Sequence, residues 1–202
     1  MRTNAAQHFN DAVRRDVPAA RAQWHSLLES FAGRGITFGG APMPTFLRPQ
    51  FVDRDTWTTL TTGATQLIRL SKRVARTAFD GRLEALLDFL GAPEPQRRLL
   101  RLEPPGPDVA LSRVDGFLEK DRVRFIEINS DAPAGFGYAD RMTEVFARLP
   151  LVRGMATTDP LLVVGSIEAL VANLRSHARA AQPRVAIVDL KTVRTRPDQE
   201  IL

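Results

Sequence analysis

Four side chains in the stretch 109–140, VALSRVDGFLEKDRVRFIEINSDAPAGFGYAD, have types and spacing suited to cation and oxyanion chemistry: Arg113, Asp115, Glu127 and Asn129. Asp, Glu and Asn offer the oxygen ligands of a hard cation such as Mg2+, which takes few protein ligands and completes its shell with phosphate oxygens and water. Arg113 offers a planar fork that grips a phosphoryl or carboxylate group at two points. Two carboxylates side by side in an otherwise apolar strand pair repel each other unless a proton or a cation intervenes, so their placement needs a reason. The competing explanation is that all four are solvated residues on the open face of an antiparallel sheet. Spacing alone leaves both open.

The elements that must position them are two strand-like runs on either side of a charged turn. Val109, Leu111, Arg113, Asp115 and Phe117 share one face by the period of two, as do Val123, Phe125, Glu127 and Asn129. A hairpin closed at Lys120-Asp121-Arg122 sets Asp115 opposite Glu127 and Arg113 opposite Asn129, which gathers the four on one patch. A slip of one residue would divide them between the two faces. A loop rich in small residues follows, from Ser130 to Gly137, and leads into a helix expected to end near Arg148. Backbone N–H groups at such a helix start suit an anion, so Ser130, Asp131, Gly135 and Gly137 are candidate substrate-binding residues. The plainer alternative for Gly135 and Gly137 is tight backbone geometry. For Asp131 and Asp140, contact with a substrate amine competes with roles as cap and surface residues.

The string S-R-V-D, the twelve-residue step from Asp115 to Glu127, and E-I-N-S-D-A-P-A-G resemble the signature of circularly permuted ATP-grasp proteins, the group that includes glutathionylspermidine synthases. The resemblance implies that Arg113 contacts the reacting phosphoryl group and that Asp115, Glu127 and Asn129 hold Mg2+ between the phosphates of ATP. It extends more loosely from about Pro42 to the C-terminus, where P-R-V-A-I-V-D resembles the strand opening the next unit of that fold. Synthases of this group that use glutathione carry hydroxyl residues beside the proline of the loop. Here Ala132 and Ala134 flank Pro133, which points away from glutathione.

Composition narrows the classes. With 202 residues and 44% hydrophobic side chains the chain can bury a sizeable core in one domain or two small ones. No apolar run approaches the roughly 20 residues of a membrane span, and the N-terminus lacks a signal peptide's apolar segment, so the expected location is cytoplasmic with no membrane partner. The absence of cysteine excludes disulfides, thiolate nucleophiles and cysteine-ligated metals. His8, His25 and His177 lie too far apart for an H-x-x-x-H zinc motif. The net charge of +5 is carried almost entirely by arginines dispersed along helices, which suits an anionic small molecule better than nucleic acid.

Taken in order, residues 5–32 read as a helix that Pro18 starts or kinks, and 33–50 as a Gly- and Pro-rich loop. A long helix capped by Asp53 or Asp55 runs to Phe79, followed by shorter ones over 83–90 and 94–100. After the hairpin and the helix ending near Arg148, a further helix is expected from Asp159-Pro160 to Ala181, then a buried strand from Arg184 to Leu190. Asp198-Gln-Glu-Ile-Leu reads as the opening of an element, and the chain is expected to be truncated there. The expected class is α/β: a helical N-terminal part over 1–103, then an α/β part over 108–202 with an antiparallel hairpin and the start of a βαβ-like unit. By the resemblance, that unit is the pre-ATP-grasp unit.

The function implied is the N-terminal portion of an ATP-dependent carboxylate–amine ligase. A substrate carboxylate attacks the γ-phosphate of ATP, and an amine captures the resulting acyl phosphate. Cofactors would be Mg2+ and ATP, and partners a small carboxylate and a small amine. Most nucleotide contacts would lie beyond Leu202, so the 202 residues alone are expected to be inactive. The alternative is a noncatalytic α/β binding or scaffold module.

Overall fold

The computed structural model describes residues 4–102, 111–119, 122–130, 133–178, 180 and 182–202. It is a mixed α/β protein in which helices predominate and the strands form two small hairpins. No described helix is long and apolar enough to cross a membrane. The chain groups into two compact units, each discontinuous in sequence. The first comprises Met1–Asp53, Ala110–Arg113 and Asn129–Leu202, and the second Arg54–Val109 and Val114–Ile128. The boundary expected at 104–107 lies outside the described residues.

In the first unit, α1 (Asn4–Arg15) and α2 (Val17–Gly33) divide the expected single helix at Asp16. The Asp16 carboxylate accepts from the Ala19 N–H at 2.9 Å, and Pro18 sits in the first turn of α2, where its missing donor costs nothing. The segment expected as pure loop contains a hairpin of β1 (Thr37–Phe38) and β2 (Ala41–Pro42). Its tip is Gly39-Gly40, both at positive φ, the conformation that a two-residue hairpin turn asks of glycine.

Further along in the same unit come α6 (Phe136–Arg148), α7 (Pro150–Ala156), α8 (Ser166–His177) and α9 (Arg196–Ile201). Helix α6 packs against α2, α7, α8 and α9. Phe9, Leu27, Phe31, Ile36, Tyr138, Val145, Leu149, Val152 and Met155 make the core. Leu27, Phe31 and Ile36 are fully enclosed, each side chain worth about 1.5–3 kcal/mol in removal from water. His8 Nδ1 lies 2.6 Å from Asp159 Oδ2 and ties α1 to the segment after α7.

Three expectations in this unit are corrected. Pro150 begins α7, a helix not expected between Arg148 and Asp159, because proline is preorganised for a first helical turn. Helix α8 starts at Ser166, not at Asp159-Pro160, and Leu161–Val164 is an exposed apolar run before it. The run Arg184–Leu190 is neither strand nor buried: among the described residues no neighbouring strand pairs with it, and Val188 is 88% exposed.

The second unit contains α3 (Arg54–Ala78), α4 (Leu83–Phe89), α5 (Glu94–Leu100) and most of β3 (Arg113–Leu118) and β4 (Val123–Asn129). Helix α3 stops at Asp80-Gly81, both at positive φ. No residue of α3 is buried. Arg101 bridges α4 and α5, with Nε 2.7 Å from Glu84 and Nη1 2.9 Å from Glu94. Hydrogen bonding to Arg101 holds the Glu84 carboxyl below its usual pKa.

Candidate functional site

The division into units cuts both strands of the second hairpin: Arg113 and Asn129 belong to the first unit, Asp115 and Glu127 to the second.

In the second unit the turn end of the hairpin fixes the register. The Glu119 N–H donates to the Arg122 carbonyl at 2.9 Å, which sets these residues opposite each other across a two-residue loop. Lys120 and Asp121, the loop itself, lie outside the described residues. A Cβ at Gly116 would stand 3.0 Å from the Arg124 carbonyl oxygen and 3.5 Å from Phe125 Cα, so Gly116 faces Phe125 in the same register. The expected three-residue loop is thus corrected to two, and the pairing at this end is one residue away from the expected one. Continued unchanged, it would set Ile126 opposite Asp115 and Glu127 opposite Val114.

Strand β4 has seven residues and β3 has six. Exposure alternates from Val123 to Ile126 and then loses phase, since Ile126, at 61%, and its neighbour Glu127 are both exposed. Phe125 fixes the other face: its ring approaches α3 so closely that a Cβ at Gly63 would lie 2.6 Å from it.

In the first unit, Arg113 Nη1 donates to the Ala134 carbonyl at 3.0 Å, which ties the start of β3 to the loop before α6. Asn129 ends β4 with its Nδ2 buried and without a hydrogen-bond partner. Such an orphan is costly and asks for a cause. Ser130 is exposed, and Asp131 lies outside the described residues.

The start of α6 differs from expectation in an informative way. The donors expected to receive a substrate's carboxylate or phosphate are held by the protein's own Asp198, whose Oδ2 accepts from the Gly135 N–H at 2.6 Å and whose Oδ1 accepts from the Tyr138 N–H at 2.7 Å. Asp198 is 1% exposed. A charged acceptor on two otherwise unpaired donors at the positive end of a helix accounts for its burial. Gly135 adopts φ +114°, and Gly137 has no room for a side chain, since a Cβ there would stand 2.7 Å from the Asp198 carbonyl oxygen. Asp140 has a similar role from within α6: its two oxygens accept from the Ser166 and Ile167 N–H groups at 2.7 and 2.9 Å and cap α8. Beside the Asp198 cap the Tyr138 hydroxyl donates to the Thr37 carbonyl at 2.6 Å, and burial first, then the charge of Asp198, raises its pKa.

Asp198 is the residue that sequence reasoning missed. Its local signature, T-R-P-D at a helix start, predicts a cap for its own helix; nothing in the spacing points to a helix start sixty residues earlier. Compared with protein-family models, curated proteins and solved structures, the chain matches none.

Proposed function

We propose that the chain carries the cation-binding part of an ATP-grasp-like carboxylate–amine ligase, with Asp115, Glu127 and Asn129 as ligands of Mg2+ and Arg113 as the phosphoryl-stabilising cation. The observation that carries this reading is the buried, unpartnered Nδ2 of Asn129. Turning the carboxamide over presents Oδ1 in its place, an oxygen of the kind that Mg2+ accepts. The donor set of two carboxylates and a carboxamide fits the same ion.

In this proposal Mg2+ supplies charge neutralisation for ATP phosphate oxygens. Asp115 and Glu127 supply the negative charge that retains the ion, and Arg113 sets its guanidinium against charge developing on the transferring phosphoryl group. A substrate carboxylate takes that group from ATP with release of ADP, and an amine then attacks the acyl carbon and expels inorganic phosphate, so positioning and electrostatics suffice without a cysteine or a catalytic histidine.

The second reading, a noncatalytic α/β binding or scaffold module, is favoured by one observation: Asp198 occupies the anion-binding donors of α6. Calorimetric titration of the chain with Mg2+, with and without ATP, separates the two. Saturable Mg2+ binding lost in Asp115→Asn and Glu127→Gln supports the ligase reading, and binding absent or indifferent to both substitutions rejects it.

A further inference from the structure

The run Arg184-Val-Ala-Ile-Val-Asp189 has the β-branched composition of a strand, yet it belongs to no strand or helix. Side chains of both parities are exposed: Val185 at 62%, Ile187 at 53% and Val188 at 88%. Four consecutive apolar residues left in water on both sides form a pairing edge that proteins normally cover. The charges that bound the run, Arg184 at its start and Asp189 at its end, are arranged so that the run is complementary to its own reverse.

We propose that two copies of this chain associate through this run as an antiparallel strand pair. Pairing centred between Ala186 and Ile187 sets Arg184 of each copy opposite Asp189 of the other, Val185 opposite Val188 and Ala186 opposite Ile187. By two-fold symmetry every such pair occurs twice. Opposite charges and β-branched side chains directly across an antiparallel ladder are the favourable cross-strand combinations. Parallel stacking of identical runs would instead set Arg184 over Arg184 and Asp189 over Asp189, so the charge pattern selects the closed antiparallel pair over an open stack. Asp189 is held in place for this role: its Oδ2 accepts from Gln199 Nε2 at 2.5 Å.

Sedimentation velocity over about a hundredfold range of concentration tests the proposal, because a homodimer responds to mass action. The expected mass rises from 22.4 kDa toward twice that value. Arg184→Asp alone or Asp189→Arg alone should weaken the dimer about tenfold, since each creates two like-charge pairs, and the two together should restore it. Both residues are exposed, so the far-ultraviolet spectrum should match that of the wild type at concentrations where both are monomeric. A chain that stays monomeric throughout, a dimer indifferent to the single reversals, a double variant as weak as the singles, or pelleting stacks that bind amyloid dyes would each overturn the proposal.

Discussion

Asp198 Oδ1 stands 2.7 Å from the backbone nitrogen of Tyr138, a residue sixty positions earlier in the chain. With the second bond to Gly135 this carboxylate closes the start of α6 from another helix. Asp198→Ala leaves a buried donor, the Tyr138 N–H, and a half-buried one, the Gly135 N–H, unmet and should cost about 2–3 kcal/mol in a urea titration. Asp198→Asn keeps one acceptor but turns an amide N–H toward the other donor, so it should cost roughly half as much. A loss below about 0.5 kcal/mol for the alanine variant would show that water or another group replaces the carboxylate.

Glycine at 137 is required by the approach of α9. Gly137→Ala should destabilise by about 1–3 kcal/mol although alanine is the better helix former by about 1 kcal/mol, because the new Cβ meets backbone and a packed isoleucine. Gly154 in α7 is the control, since a Cβ added there would meet nothing within 4 Å. Gly154→Ala should gain about 0.5–1 kcal/mol, and equal responses at the two sites would reject the packing argument.

Tyr138 predicts the alkaline behaviour of the first unit. Its folded pKa is raised above the ordinary 10.0, so the neutral phenol is favoured on folding. That contribution is complete below about pH 10 and is lost as the pH climbs through the folded value. Tyr138→Phe should lose about 1 kcal/mol at pH 7 with the bond to Thr37, while its stability should fall less steeply above about pH 10. Parallel slopes for wild type and variant between about pH 9 and 11 would be inconsistent with this account.

The carboxylates of the hairpin should respond to metal and not to folding. Asp115→Asn and Glu127→Gln are expected to keep or slightly raise the melting temperature in EDTA, since each removes one of two like charges. Mg2+ should raise the melting temperature of the wild type and leave both variants unmoved. Losses of several degrees in EDTA would assign the pair a structural role instead.

Local chemistry was legible where local physics decides. Helices α3, α4, α5 and α6 lie within a residue or two of their expected bounds, because their starts and stops are written in Asp80-Gly81, Gly91 and Leu149-Pro150. Readings that depended on distant partners were not. The run Arg184–Leu190 has the residues of a buried strand, but burial requires neighbours that its own sequence does not specify. The glycines before α6 mark a helix start with N–H groups to offer, whereas the group that takes them, the Asp198 carboxylate, is set only by tertiary packing. At the hairpin, the even spacing of Asp115 and Glu127 was compatible with more than one register, and at the turn end the backbone adopts the one that sets Glu119 opposite Arg122.

The first unit is assembled from three separated stretches, and this bears on its synthesis. Phe9, Leu27, Phe31 and Ile36 leave the ribosome early, but Tyr138, Val145 and Val152, which complete their core, follow about a hundred residues later. At about 5–20 residues per second the apolar side of α1 and α2 stays uncovered for roughly 5–20 seconds. During that interval the second unit, made in between, must fold without drawing those side chains into a core of its own.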